Sequence, residues 1–228
     1  MATMAITGAG RGIGLELTRQ HLAAGDRIIA LVRDPAGAEA LNALAAGSNG
    51  KLTVHAMDVG DDASVKAGAA STGGVPIDIV YNVAGITGSV ANEVESIDWA
   101  PFDDAINVMV KGPLRVLHAF LPQLAAGSKV INITSQLAAS TWPYGGFYGY
   151  VAAKAALNRL MRSVAIDLKD RGVIIGLVHP GWVQTDMGGP GAEITPQDSA
   201  AGIRQVAADW TLETSGDFLK WNGEAHAW

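Results

Sequence analysis

Thr7-Gly8-Ala9-Gly10-Arg11-Gly12-Ile13-Gly14 is the stretch that decides the fold. The apolar run Met4-Ala5-Ile6 leads into it, and Leu15-Glu16-Leu17-Thr18-Arg19-Gln20, patterned as a helix, leads out. Strand, glycine turn and helix in that order present unpaired backbone N–H groups and the positive end of a helix to a phosphate. Gly8, Gly12 and Gly14 stand where such a chain turns tightly, approaches a pyrophosphate and packs helix against strand. Gly10, Arg11 and Ile13 line the same turn. A glycine-rich turn also occurs in α/β proteins that bind no nucleotide, so the stretch by itself leaves both readings open.

Composition narrows the class. The chain has 228 residues, of which 49% are hydrophobic and 17% charged, enough apolar material for one large α/β core and too little charge for a disordered chain. A net charge of −6 argues against a nucleic-acid partner, which needs a basic face. With no cysteine there is no disulfide framework, thiolate nucleophile or Cys-ligated metal, and this fits a cytoplasmic protein. The opening Met-Ala-Thr-Met-Ala-Ile carries no basic leader, so no signal peptide is expected. The longest uncharged run, Val130 to Ala153, contains Asn132, Gln136, Pro143 and several glycines, which excludes a membrane span. The five histidines show no ligand spacing, so no metal is expected.

Strand and helix patterns alternate along the chain. Arg27–Val32 is a continuous apolar run, the mark of a strand buried on both faces. Residues 36–47 read as helix, Leu52–Met57 as a third strand, Asp61–Thr72 as helix and Ile77–Tyr81 as a fourth strand. Trp99 to Leu124 reads as one long helix, bent at Pro113, with Ile106, Val110, Leu114, Leu117 and Leu121 on its apolar face. Lys129–Ser135 is a fifth strand, followed by a loop from Gln136 to Gly146 and a helix from Phe147 to about Lys169. Val173–Val178 is the sixth strand, Gly188–Ile194 a mobile lid, Gln197–Ala208 the last helix, and Gly216–Trp221 room for a short seventh strand. The expectation is a single domain over residues 1–228: an α/β, Rossmann-type doubly wound parallel sheet of about seven strands, helices on both faces.

Ligands bind at the carboxyl ends of such strands. An acidic residue ending the second strand bonds the ribose hydroxyls in NAD enzymes. Here that place holds Val32 and Arg33, and an arginine suits a 2′-phosphate through a bidentate contact, with Arg11 to help. NADP(H) is therefore preferred and NAD(H) remains possible; the alternative is a pair of solvent-exposed arginines. Ser135 ends the fifth strand at that same rim. Tyr150 and Lys154 lie four apart on a helix and share one face. A free tyrosine has a pKa of about 10, and bringing it near neutrality takes about 4 kcal/mol of selective help for the phenolate. An ammonium nearby can supply part of it in a closed site.

Taken together the motifs T-G-x-x-x-G-x-G, Asn82-Val83-Ala84-Gly85, Ser135, Tyr150-x-x-x-Lys154 and Pro180-Gly181-x-x-x-Thr185 resemble the short-chain dehydrogenase/reductase family, in its order and over nearly the whole chain. Residues 145–148, 155–158 and 179–189 with the aromatic tail are more narrowly similar to the C-factor and sniffer-like carbonyl reductase subgroup. The resemblance implies that Asp58 bonds the adenine amino group and Val59 touches the ring, a role to set against Asp as a simple helix cap. It implies that Asn82, Ala84 and Gly85 flank the cofactor, although Val83 departs from the usual N-N-A-G. Pro180, Gly181, Val183 and Thr185 would border the nicotinamide. A mid-helix asparagine is an unfavourable choice, and the resemblance makes Asn107 hold a water joining Lys154 to solvent; an ordinary exposed asparagine is the other reading. Tyr148, thirteen residues after Ser135, rivals Tyr150 by spacing but has Ala152 where a lysine is needed.

The implied chemistry is interconversion of a ketone or aldehyde with an alcohol. Ser135 would hold the oxygen, Tyr150 exchange the proton and Lys154 bind the ribose and lower the phenol. Relatives pair the helices at 99–124 and 148–169, which implies a homodimer or homotetramer. A nucleotide-binding signalling or regulatory protein without turnover is the alternative from another class. An epimerase or dehydratase on the same fold is a third, disfavoured by the short chain.

Overall fold

The computed structural model describes residues 1–88 and 93–228. Its strands are β1 (Thr3–Thr7), β2 (Arg27–Val32), β3 (Leu52–Ala56), β4 (Ile79–Asn82), β5 (Lys129–Ile133), β6 (Ile174–His179) and β7 (Phe218–Lys220). The α-helices are α1 (Gly12–Ala23), α2 (Glu39–Ala46), α3 (Asp62–Ser71), α4 (Trp99–Ile106), α5 (Gly112–Phe120), α6 (Tyr148–Asp167) and α7 (Pro196–Asp209). The strands form one parallel sheet in the order β3-β2-β1-β4-β5-β6-β7.

This order follows from where the apolar side chains must go. β2 and β6 are buried along almost their whole length, which requires helices over both faces. On one face Leu17, Leu41, Ile203 and Trp210 from α1, α2, α7 and the residue after it pack on Ile6, Ile28 and Ile131. On the other, Val65, Val116, Phe120, Leu157 and Met161 from α3, α5 and α6 pack on Val80, Val130 and Ile175. Connections run outward from β1 in one direction and from β4 in the other. The carboxyl ends of these neighbours therefore splay apart and open a crevice above the glycine turn.

The single helix expected over 99–124 is four pieces: α4, one π-helical turn at Asn107–Lys111, α5, and a 3₁₀ turn at Leu121–Gln123. The cause is local. Pro113 has no N–H to donate back to Met109 O, and the Gly112 N–H reaches back five residues to Asn107 O. The widened turn lets Gly112 lie against Val59, where a Cβ would approach Val59 Cγ2 to 3.1 Å. β5 ends at Ile133 rather than Ser135, which frees Ser135 from the ladder.

Candidate active site

The glycine turn is built by contacts that exclude side chains. Gly8 has φ +66°, and a Cβ there would stand 2.9 Å from Ala84 N and Cα. A Cβ on Gly14 would collide with Gly8 O, so α1 folds directly over the turn. Thr7 fastens this corner to the far side of the crevice. Its Oγ1 accepts from Val83 N at 3.0 Å and Ala84 N at 3.2 Å, and donates to Tyr81 O at 3.3 Å. Val83, the departure from the family pattern, thus contributes through its backbone. α1 begins with no side-chain cap from Arg11 and no acidic residue in its first turn. Its leading N–H groups are left for an anion.

Arg33 is exposed directly after β2, where a 2′-phosphate would come. Arg11 is ion-paired instead with Asp186 at 2.8 Å, both side chains solvent-exposed. The loop after β6 crosses the turn there: a Cβ on Gly12 would lie 3.2 Å from Thr185 Cγ2. Asp58 accepts from Gly60 N at 2.8 Å through Oδ1, and Val59 is buried beside it. Asn82 is turned into the sheet, its Nδ2 donating to Asn132 Oδ1 at 2.9 Å, while its own Oδ1 has no partner. Gly85 faces Met109, whose sulfur a Cβ would meet at 3.6 Å.

Pro180 and Gly181 leave β6 under tight restraint. Pro180 O accepts from Ser199 Oγ at 2.7 Å, and Gly181, with φ +87°, has Ile194 where a side chain would go. Val183 is buried and Thr185 Oγ1 accepts from Gly188 N at 3.2 Å. The stretch 188–194, expected as a mobile lid, is tied back onto 182–185 by Gln184 N to Ile194 O at 2.9 Å and Gly189 N to Thr185 O at 2.8 Å.

Ser135, Tyr150 and Lys154 meet at the carboxyl rim. Ser135, freed from β5, brings its hydroxyl near the Tyr150 phenol, and its Oγ accepts from Leu137 N at 3.2 Å. Lys154 Nζ lies 5.7 Å from the centre of the Tyr150 ring and donates to Ile133 O at 2.8 Å. Tyr148 starts α6 about half a turn before Tyr150. Burial pushes the Tyr150 phenol above its ordinary 10.0, against the pull of the nearby Ser135 hydroxyl. The same burial lowers the Lys154 ammonium to about 8. The depressed phenol expected from the lysine is thus absent from the protein alone. Desolvation penalises both charged forms, so it raises the phenol, lowers the ammonium and drives their proton affinities apart.

Asn107 opens the π turn. Its Nδ2 donates to Gly60 O at 2.9 Å, its Oδ1 accepts from Arg115 at 2.9 Å, and its carbonyl accepts from Gly112 N and from Arg115 at 3.2 Å. Two residues on, Met109 packs with Ala153 beside Tyr150. Arg115 and Thr7 were missed from the sequence. Thr7 stood inside the quoted motif, but only the fold brings residues 83 and 84 to it. Phe147, at φ +53° just before α6, was also unforeseen; its neighbours Gly145 and Gly146 were the signal. Among the described residues no cluster of His, Asp and Glu fits a metal ion.

The cradle suits a dinucleotide: a Cβ is barred from the turn, α1 offers bare N–H groups, and the Lys154 ammonium has donors beyond its bond to Ile133. Comparison with known proteins agrees. The family model described as short chain dehydrogenase matches residues 2–193. The chain is 40% identical to the C-signal protein of Myxococcus xanthus over 67% of this chain and 93% of that one. It is 36% identical to the 1-hydroxy-2-glutathionyl-2-methyl-3-butene dehydrogenase of Rhodococcus sp. (strain AD45), over 100% of both. The NADPH-bound carbonyl reductase from chicken fatty liver superposes with a TM-score of 0.92 at 32% identity, over 100% of this chain and 99% of that one. The carbonyl reductase Sniffer of D. melanogaster superposes with a TM-score of 0.93 at 25% identity, over 100% of both. The chain belongs to the short-chain dehydrogenase family.

Proposed function

We propose that this protein is an NADPH-dependent carbonyl reductase that interconverts a ketone or aldehyde with its alcohol. The observation that carries the reading is the convergence of Ser135, Tyr150 and Lys154, with the Lys154 ammonium 5.7 Å from the centre of the phenol ring and the Ser135 hydroxyl close enough to pull on the phenol. Arg33 supports NADP(H) over NAD(H), as do the related carbonyl reductase structures described with NADPH or NADP. When bound, the nicotinamide supplies or accepts the hydride. Gly8, Gly10, Gly12, Ile13 and Gly14 would admit the pyrophosphate, and Asp58, Val59, Ala84 and Gly85 the adenosine and ribose. Pro180, Gly181, Val183 and Thr185 would flank the nicotinamide.

In reduction, Ser135 Oγ–H holds the substrate carbonyl oxygen and fixes the face presented to the cleft. As negative charge develops on that oxygen, Tyr150 gives up its phenolic proton to it and the alcohol forms. Lys154 then stabilises the phenolate, and its lowered pKa lets it yield a proton near neutrality to restore the phenol. Oxidation runs the same proton path backward. Trp142 and Tyr144, packed edge to face at 5.6 Å in the loop between Ser135 and α6, support an apolar substrate, as does Met187 in the loop after β6. Exposed Trp99 and Ile166, on α4 and α6, support assembly into a homodimer or homotetramer. No described helix is long and apolar enough to cross a membrane, and the lack of cysteine supports a cytoplasmic location.

A regulatory nucleotide binder without significant turnover is the second reading, favoured by the likeness to the C-signal protein. The intact Ser135–Tyr150–Lys154 set weighs against it. NADPH oxidation with a panel of activated ketones decides. Tyr150→Phe is expected to bind NADPH as the wild type does and to lose about 10³-fold in turnover. Unchanged turnover in that variant removes Tyr150 from the mechanism, and a wild type inert to every carbonyl removes the enzyme reading.

A further inference from the structure

One segment takes no part in the site described above. After β7 the chain turns, with Lys220 N donating to Glu224 O at 2.8 Å and Lys220 Nζ paired with Glu224 at 2.7 Å. It then runs back antiparallel beside β7, Ala225 bridging Leu219 and His226 N donating to Phe218 O at 2.9 Å. The return carries Trp228 to the loop that joins Ser135 to the helix of Tyr150. The backbone N–H and the hydroxyl of Ser140 both donate to Trp228 O, each at 3.1 Å. The indole is held from the other side: Arg162 of α6 stands 5.2 Å from its ring centre and Phe218 at 6.0 Å. Arg162 is itself fixed by Gly216 O at 3.2 Å. The same return lays His226 on Phe218 at 4.6 Å and beside His179 at 5.4 Å, the residue before Pro180.

The segment thus touches both walls of the crevice. A loop from 136 to 146 that bears three glycine or proline residues and two aromatic rings needs an anchor to present those rings in one place. We propose that Trp228 is a positioning residue for the carbonyl reductase reaction. Through Ser140 it holds the 136–146 loop, with Trp142 and Tyr144, as the wall that selects bulky apolar carbonyl substrates. It touches no reacting atom. A charge-bearing partner for the indole on α6 and two hydrogen bonds to one carbonyl make the anchor cooperative, so Trp228 and Ser140 act as one unit.

The kinetic part of this rests on the carbonyl reductase reading; the structural part does not, and the experiment separates them. Trp228→Ala, Trp228→Phe and Ser140→Ala are compared with the wild type. Measured are NADPH affinity, kcat and KM for a two-carbon aldehyde and a bulky aromatic ketone, and hydrogen exchange of residues 136–146. Trp228→Ala is expected to raise KM for the ketone about tenfold, with kcat and NADPH affinity little changed and the small aldehyde unaffected. Exchange in 136–146 should speed up, Trp228→Phe should restore most of the loss, and adding Ser140→Ala to Trp228→Ala should cost little more. Unchanged exchange in 136–146, or an equal loss for both substrates together with NADPH affinity, overturns the proposal. Should the wild type reduce no carbonyl, the function falls and exchange alone judges the anchor: faster exchange upholds it and unchanged exchange refutes it.

Discussion

Replacing Lys154 by methionine is expected to stabilise the fold while ending turnover. The side chain is 6% exposed and its ammonium has Ile133 O as its hydrogen-bond acceptor. Burial lowers it from 10.5 to about 8, a displacement that costs the folded state about 3 kcal/mol at pH 7. Methionine removes the charge at similar length but leaves Ile133 O without this donor, which costs about 1–2 kcal/mol. The balance is a gain of about 1–2 kcal/mol, or roughly 3–6 °C in Tm for a chain of this size. The sign against pH is equally definite. Between about 8 and 10.5 the unfolded wild type binds a proton that the folded state has released, so its stability rises with pH across that window. The variant lacks this rise, so its advantage shrinks above pH 8 and is gone by pH 10. Urea unfolding followed by tryptophan fluorescence at pH 7 and pH 10, beside an NADPH oxidation assay, reads both effects. A variant less stable at pH 7, or a stability gap independent of pH, refutes the desolvation argument.

Arg33→Ala should raise KM for NADPH by about 10- to 100-fold, the loss of a charge-assisted contact, and leave NADH kinetics unaltered; equal losses with both coenzymes would count against a 2′-phosphate role. His179 is lowered from 6.5 to about 4, chiefly by burial. The unfolded chain therefore takes up a proton first as pH falls, and about 3 kcal/mol of stability is lost between those values; His179→Leu should flatten that part of the stability–pH curve. Asn107→Ala should lower stability by about 1–3 kcal/mol through the groups it abandons at Gly60 and Arg115, with the pH profile of turnover unmoved. A shifted pH profile in that variant would return Asn107 to the proton path.

Much of this was legible beforehand because it depends on local pattern. Buried parallel strands read as unbroken apolar runs, so β2 and β6 fell within a residue or two of their expected bounds. The four-residue spacing of Tyr150 and Lys154 places both on one helix face whatever the surroundings. What escaped was set by encounters between distant residues. The helix at 99–124 had a continuous apolar stripe, yet Pro113 and the need to seat Gly112 on Val59 opened a π turn that ties Asn107 to Gly60 and Arg115. Gly188–Ile194 read as mobile from its glycines, and its hydrogen bonds to 182–185 are invisible until the chain folds back on itself.

The sequence by itself determined the layers, the strand succession, the glycine turn and the chemical types at the rim, because each follows from periodicity, side-chain volume or backbone freedom within a few residues. Only the tertiary structure decided which way Asn107 points, that Arg11 is tied to Asp186, that Trp228 fastens Ser140, and whether phenol or ammonium holds its proton more tightly. These depend on burial and on partners far along the chain, and free energies of desolvation are properties of a packed surrounding rather than of any residue within it.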